Sequence, residues 1–249
     1  MLLENKNAVI YGGGGTIGSA MAKGFAAEGA TCHLVGRTPE KLEAVATAIR
    51  EAGGRAETAV VDVLDVAAVR DHADSIVEKF GTLDISVNVV SQHTLFQPLV
   101  DVAVDEFSRS LATLTASQLA TTQAAARHMS KQQSGVILFF GGSDASYKAA
   151  GLGNVQIGMD IVEALRRQWA ADLAPYGVRV VSLLTGGIPA SFPDTPDMAE
   201  ARQGLIDATL LKREVSLADV GHVAAFVASE RARSMTKTQV NISAGAVGD

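Results

Sequence analysis

The chain has 249 residues, 47% of them hydrophobic, and a formal net charge of -6 at pH 7. This apolar content can bury one large core, so we expect a single α/β domain over residues 1–249. The acidic balance and the lack of a dense Lys or Arg run exclude a surface built for nucleic acid. No apolar run reaches the roughly 18 residues that span a bilayer. The first residues also lack the features of a signal peptide. We therefore expect no membrane contact and a cytoplasmic location.

Strand-like and helix-like segments alternate along the whole chain. Strands are predicted at 8–11, 31–36, 56–62, 84–90, 135–140, 178–184 and 238–242, and helices near 17–28, 39–52, 66–79, 104–130, 152–173 and 217–229. Most of these strands are continuous apolar runs, as is typical of strands covered on both faces. The pattern predicts a single-domain, doubly wound Rossmann fold, whose seven-stranded parallel sheet has helices on both faces.

A glycine-rich turn, GGGGTIG, follows the first strand and opens the first helix. Gly13, Gly15 and Gly18 have GxGxxG spacing, which lets backbone N–H groups at the helix start approach a pyrophosphate. Ser19 stands where a Walker loop has its lysine, so that nucleotide loop is excluded. The predicted cofactor contacts of this turn are Gly12, Gly13, Gly15, Thr16, Ile17 and Gly18.

The ends of the next three strands indicate which dinucleotide binds. The second strand ends with Gly36 and Arg37 rather than with an acid. An acid would accept from a free ribose 2′-hydroxyl, whereas a guanidinium suits a 2′-phosphate. We therefore predict NADP(H), with NAD(H) as the alternative. Asp62 and Val63 are placed to meet the adenine edge, and Asn88 ends the fourth strand.

These segments resemble the short-chain dehydrogenase/reductase family over nearly the full chain. YGGGGTIG matches its TGxxxGxG, VDVLD its adenine-contact segment, and VNVVS its NNAG with Asn88 kept. TQAAARHM, LAPYGVRVVSLLTGGI and TKTQVNISAGA follow its helix four, strand six and last strand. The resemblance implies an oxidoreductase acting on a small carbonyl, alcohol or conjugated substrate. It also implies a homodimer or homotetramer formed through helices four and five, and cofactor contacts at Gly186 and Ile188.

The resemblance also locates the family's catalytic positions, and this chain departs from each of them. Counting along the matched segments places the tyrosine at Val155, the lysine at Met159, the serine at Gly142 and the helix-four asparagine at Leu114. None of these residues has a side chain that can give a proton. Val155 and Met159 belong to an apolar stripe at helical spacing, which is typical of packing.

Replacement acid and base groups are available in the neighbouring loops. The loop after the fourth strand brings His93, and the loop after the fifth brings Ser143, Asp144 and Tyr147. Tyr147 is a candidate acid by analogy, and His93 because imidazole titrates near neutrality. The other histidines lack paired-ligand spacing, so no metal site is predicted.

Two further functions stay open at this point. The chain could keep the nucleotide fold as a catalytically inactive binding or scaffold protein. It could also be a Ser143-dependent hydrolase, because GGSDA after a strand nearly matches the GxSxG elbow. A hydrolase elbow needs a helix directly after its serine, and the glycine-rich turn at the N-terminus would then be unexplained.

The segment 188–211 holds three of the chain's six prolines and then a helical pattern. Long connections at the carboxyl edge of such a sheet commonly cover the substrate. We expect this segment to be a lid on the substrate side.

Overall fold

All seven strands lie parallel in one sheet whose order reverses at the first strand. The computed structural model describes residues 1–90, 93–141, 148–192 and 195–248. The strands are β1 (Asn7–Tyr11), β2 (Thr31–Gly36), β3 (Arg55–Val60), β4 (Ile85–Asn88), β5 (Gly135–Phe140), β6 (Val178–Thr185) and β7 (Thr238–Ile242). Their order is β3-β2-β1-β4-β5-β6-β7. The doubly wound sheet is thereby confirmed, and β2, β5 and β7 have the predicted bounds.

Helices cover both faces of this sheet. They are α1 (Thr16–Ala27), α2 (Pro39–Glu51), α3 (Val66–Phe80), α4 (Val104–Gln132), α5 (Gly153–Leu173), α6 (Ala199–Asp207) and α7 (Leu217–Ala228). One core joins the sheet to α1, α2 and α7. The other joins it to α3, α4 and α5. Among the helices that the structure describes, none is both long and apolar enough to cross a membrane.

The central strand β1 shows why the strand sequences are continuous apolar runs. Side chains alternate across a strand, so Ala8 and Ile10 enter one core while Val9 and Tyr11 enter the other. All four are fully buried. A strand with helices on both faces has no polar side, which explains the unbroken apolar sequence.

Two predicted strands are too long at their carboxyl ends. β3 ends at Val60 and β4 at Asn88, whereas the sequence predicts strands to 62 and 90. After β3, a carboxylate oxygen of Asp62 accepts from the backbone N–H of Leu64 at 3.0 Å. Such a turn stops strand pairing. The apolar residues that follow each strand lie in connections rather than in the sheet.

The segment between β6 and α7 contains the predicted helical pattern as α6. Short 3₁₀ turns at Pro189–Ser191 and Pro196–Met198 precede this helix. A Cβ on Gly187, just after β6, would lie 2.4 Å from Cδ2 of Leu205 on α6. The helix therefore rests on the backbone at the carboxyl end of β6.

Candidate functional site

A cavity of about 540 Å³ opens at the carboxyl ends of β1 to β4. Its walls are the glycine turn, the start of α2, the connection after β3, the end of β4 and one side of α4. Crevices at a reversal of strand order are where such sheets bind ligands. The predicted residues that line it are Gly12, Gly15, Arg37, Asp62, Val63 and His93.

Backbone geometry makes glycine necessary in the turn between β1 and α1. Gly12 has a φ of 87°, and a Cβ on Gly18 would lie 2.3 Å from the carbonyl oxygen of Gly12. A Cβ on Gly13 would lie 3.1 Å from Cα of Leu34 on β2. The first turn of α1 therefore sits directly against the loop before it.

The N-terminus of α1 carries no side-chain cap. Gly15 precedes the helix with an extended backbone and offers no side chain to its first N–H groups. Thr16 is exposed at the first helical position, while Ile17 packs against the core on the α1 side. Unpaired N–H groups and the positive end of the helix dipole favour a bound anion.

Two cations stand at the end of β2. Arg37 and Lys41 both line the cavity, together with Thr38. A Cβ on Gly14 would lie 3.0 Å from Cβ of Lys41, so α2 begins directly beside the glycine turn. Among the residues that the structure describes, neither cationic side chain has a hydrogen-bonding or ion-pair partner. This end of the cavity therefore carries two cations that form no ion pair with a described acid.

The connections after β3 and β4 also line the cavity. Asp62 and Val63 line the cavity after β3, and Val89 and Val90 line it after β4. Asn88 is buried, and its amide donates to the carbonyl oxygen of Ser117 and to Oγ1 of Thr121, at 3.1 and 3.0 Å. Its Oδ1 accepts from the N–H of Val90 at 3.0 Å. Asn88 thus joins β4 to α4, directly before the two valines that line the cavity.

Gly186 and Ile188 do not line this cavity. Ile188 is buried in the core on the α1 side, and a Cβ on Gly186 would lie 3.1 Å from Cβ of Ala246. Neither is among the described residues that line the cavity. The other predicted cofactor contacts absent from its lining are Gly13, Thr16, Ile17, Gly18 and Asn88.

His93 stands at the α4 side of the cavity with an acidic neighbour. Its Nε2 lies 3.6 Å from Oε1 of Glu106, in the first turn of α4, and both side chains are largely exposed. Arg109 lines the same wall and pairs with Asp105 at 3.2 Å. The sequence reading missed Glu106 and Lys41, because only the orientation of α4 and α2 brings them to the cavity.

Several predicted residues fall outside the part of the chain that the structure describes. These are Ser143, Asp144 and Tyr147, together with Gly142 at the family's serine position. Only His93, among the predicted acid and base groups, has a described position. α5 begins at Gly153, ten positions after Ser143 in number.

The positions on α5 where the family has its tyrosine and lysine are apolar and partly buried. A Cβ on Gly141, just after β5, would lie 2.3 Å from Sδ of Met159. The thioether therefore packs on the backbone at the end of β5. Val155 lies one turn earlier on the same helix, and Leu114 of α4 is buried at the cavity wall.

Two titratable groups near β1 and β2 are held protonated by burial. Burial raises the pKa of the Tyr11 phenol, whose hydroxyl has no hydrogen-bond partner among the described residues. Burial likewise raises the pKa of the Cys32 thiol to about 12. Its Sγ donates to the carbonyl oxygen of Ala22 at 3.3 Å. Neither group can serve as a nucleophile or base at neutral pH.

The described residues give no indication of a metal centre. No group of three or more His, Cys, Asp or Glu residues in that part of the chain could hold a metal ion.

Comparisons with known proteins agree with this geometry. A family model described as enoyl-(acyl carrier protein) reductase matches residues 14–246. The short-chain reductase protein NovJ of Streptomyces niveus is 29% identical, over 96% of this chain and 92% of its own. An uncharacterized oxidoreductase of Methylorubrum extorquens is 30% identical, over 98% of each chain. The crystal structure of NAD⁺-bound xylitol dehydrogenase superposes with a TM-score of 0.86 at 25% identity, over 97% and 99% of the two chains.

This chain therefore belongs to the short-chain dehydrogenase/reductase family, whose members are oxidoreductases that bind NAD(P)(H).

Proposed function

We propose that the protein is an NADP(H)-dependent oxidoreductase that acts on a small carbonyl, alcohol or conjugated substrate through non-standard acid and base groups. The observation that carries this proposal is the pair of unpartnered cations, Arg37 and Lys41, beside the glycine turn. The xylitol dehydrogenase structure contains NAD⁺, so the relatives do not decide between the two dinucleotides.

The residues of the cavity fit an NADP(H) molecule. The closely packed Gly12 and Gly18 leave a cradle without side chains at the start of α1, which suits a pyrophosphate. Arg37 and Lys41 would hold a 2′-phosphate, because a guanidinium and an ammonium bind phosphate oxygens through charge-assisted hydrogen bonds. Asp62 and Val63 would flank the adenine. When bound, the cofactor supplies or accepts a hydride.

The acid and base work falls to groups other than those usual in the family. Val155 and Met159 cannot move a proton, so the candidates are His93, Tyr147, Ser143 and Asp144. His93 carries the most structural support, because its imidazole lines the cavity beside Glu106. A neutral imidazole can take a proton at Nε2, and an imidazolium can give one there. The segment 188–211 would cover the substrate, and α4 and α5 would join the subunits of a homodimer or homotetramer.

A second function is favoured by a specific observation. The thioether of Met159 packs on Gly141, and Val155 is partly buried on the same helix. This is the arrangement expected if the chain binds the nucleotide without catalysis. The Ser143-dependent hydrolase gains no support from the described residues, because no described helix begins before Gly153 in that connection.

One experiment separates these functions. NADPH and NADH are titrated calorimetrically, and NADPH oxidation is then followed over a panel of ketones, enones and imines. We expect NADPH to bind more tightly than NADH and at least one carbonyl class to turn over. His93→Ala and Tyr147→Phe are assayed beside the parent chain, and loss of a general acid lowers the rate about 10² to 10⁴-fold. Nucleotide binding with no turnover would support the inactive binding protein. Binding of neither nucleotide would contradict the proposal.

A further inference from the structure

A buried asparagine on α5 holds the segment that carries His93. Asn154 is 1% exposed, and its Nδ2 donates to the carbonyl oxygen of His93 at 2.6 Å. Its Oδ1 accepts from the backbone N–H of Leu95 at 3.0 Å. Ser110 of α4 donates from Oγ to the same His93 carbonyl at 3.2 Å. We call these two side chains and the backbone of His93 and Leu95 the Asn154 cluster.

The Asn154 cluster joins three elements at one point. Nδ2 of Asn154 lies 3.2 Å from Oγ of Ser110, so α5 and α4 meet on the backbone of the connection that follows β4. Burying a polar side chain costs free energy unless its hydrogen bonds are formed. Asn154 and Ser110 form hydrogen bonds to the backbone as well as the contact between their side chains. These hydrogen bonds fix the position of the backbone at His93 and Leu95.

The side chain of His93 points from this fixed backbone to the cavity. Its carbonyl is held from one side by Asn154 and Ser110, while its imidazole lines the cavity 3.6 Å from Glu106. Arg109 on α4 and Asp62 after β3 also line the cavity. The backbone anchor and the acidic neighbour together determine the position and the charge environment of the imidazole.

We propose that Asn154, together with Ser110, is a positioning residue for His93, so that α5 sets the place of the proton-transfer group although its own Val155 and Met159 carry none. This proposal rests on the proposed oxidoreductase function. The proton on Nε2 of an imidazolium at His93 passes to the oxygen of the bound substrate, and the imidazole becomes neutral. Asn154 touches neither substrate nor cofactor in this scheme and acts only through His93.

Hydrogen exchange tests the Asn154 cluster without any substrate. In Asn154→Ala, the amide of Leu95 loses its acceptor, and we expect its exchange in the ligand-free chain to accelerate about tenfold or more. Gln156→Ala is the matched control on the same helix, because Oε1 of Gln156 accepts from the N–H of Ala149 at 2.8 Å. That control should leave the Leu95 amide protected. Unchanged exchange at Leu95 in Asn154→Ala would overturn the proposal.

Kinetics test whether the cluster acts through His93. We expect Asn154→Ala to lower kcat for NADPH oxidation about ten- to a hundredfold, as misplaced catalytic groups do, with KM for NADPH unchanged. Ser110→Thr, which keeps a hydroxyl, should retain more activity than Ser110→Ala. In the double variant His93→Ala/Asn154→Ala, kcat should equal that of His93→Ala alone.

Additive losses in the double variant, or an unchanged kcat in Asn154→Ala, would overturn the positioning role. A raised KM for NADPH with unchanged kcat would do the same, because it would place Asn154 in cofactor binding. A parent chain without turnover on any carbonyl would contradict the proposed function and the kinetic role of Asn154 together. The exchange at Leu95 is measured separately, so it still shows whether the hydrogen-bond cluster exists.

Discussion

Nε of Arg166 donates to Oε2 of Glu163 at 2.8 Å, Nη2 lies 2.8 Å from the same oxygen, and both side chains are almost fully buried on α5. Glu163 Oε1 and Arg166 Nη1 make no hydrogen bond within the described residues. Removing two charges from water is costly, and their attraction offsets this only when geometry and further hydrogen bonds are good. Removing either partner alone should therefore lower the free energy of unfolding more than removing both partners together.

We predict that Arg166→Met lowers the free energy of unfolding by about 3 to 5 kcal/mol, because it leaves the carboxylate of Glu163 buried and unpaired. The double variant Glu163→Leu/Arg166→Met should recover most of that loss. Urea unfolding of the two variants and the parent measures the difference. Arg70→Met is the control, since its partner Asp71 and Arg70 are both exposed, and surface pairs contribute about 0 to 1 kcal/mol. A double variant less stable than Arg166→Met would contradict this account.

Acid should destabilise the fold through a buried histidine on β2. Burial, helped by the charges of His72 and Lys79, lowers the pKa of His33 to about 4. The unfolded chain binds this proton near pH 6.5, whereas the folded chain binds it only near pH 4. The folded state therefore binds fewer protons between these values. The stability from His33 is present above pH 6.5 and is lost as the pH falls toward 4.

The size of this loss is about 3 kcal/mol, from about 1.4 kcal/mol for each pKa unit. His33→Leu removes the titrating group, and its ring contact with Phe80, at 4.7 Å between centroids, is replaced by an apolar contact. We predict a flatter dependence of unfolding free energy on pH between about 7 and 5 in this variant. The exposed His222 gives the control His222→Gln. Equal pH dependence in the parent and in His33→Leu would show that His33 is not the cause.

The fold could be predicted almost completely from the periodicity of apolar residues. The errors in the predicted strand ends have a common physical origin. The predicted β3 and β4 run past their ends because Val61, Val89 and Val90 are as apolar as strand residues. In the structure these three valines line the cavity. Apolar side chains that face a ligand site have the same sequence signal as side chains that face a core.

The residues of the candidate site also differ in how far the sequence alone predicts their positions. Gly12, Gly15, Arg37 and Asp62 each lie within four residues after a strand, so the chain order alone places them at one edge of the sheet. Lys41 and Glu106 line the cavity from within helices, and Asn154 contacts the backbone of His93 from within α5. Their position depends on how each helix rotates and packs, which a single sequence with short local patterns does not specify.

Gly18 should be intolerant of any side chain. A Cβ there would lie 2.3 Å from the carbonyl oxygen of Gly12, a backbone atom that cannot move without opening the turn. We predict that Gly18→Ala lowers the free energy of unfolding by about 1 to 3 kcal/mol, as overpacking does, and weakens NADPH binding at least tenfold. Chemical unfolding and calorimetric titration measure the two effects.

Gly204 on α6 provides the matched control for Gly18. A Cβ there would meet nothing within 4 Å. Gly204→Ala should therefore raise stability by about 0.5 to 1 kcal/mol, the usual gain of alanine over glycine in a helix. NADPH affinity should be unchanged in this variant. A Gly18→Ala chain with the affinity of the parent would show that the turn does not hold the pyrophosphate.

Arg37 and Lys41 should determine the choice of dinucleotide. Each would form charge-assisted hydrogen bonds to a 2′-phosphate, which are worth about 1.5 to 3 kcal/mol to a charged partner. We predict that Arg37→Ala weakens NADPH binding about tenfold to a hundredfold and leaves NADH binding nearly unchanged. Lys41→Ala should also weaken NADPH binding, but by a smaller factor, because an ammonium lacks the two-point geometry of a guanidinium. In both variants, the affinity for 2′,5′-ADP should fall by about the same factor as the affinity for NADPH.

Lys23→Ala removes one positive charge from the exposed surface of α1 and controls for net charge. It should leave both affinities unchanged. Added salt should narrow the gap between the parent and Arg37→Ala for NADPH, because it screens the exposed cations. Equal losses of NADH and NADPH affinity in Arg37→Ala would place the guanidinium on a group that the two cofactors share, such as the pyrophosphate, and would remove the basis for NADP(H) preference.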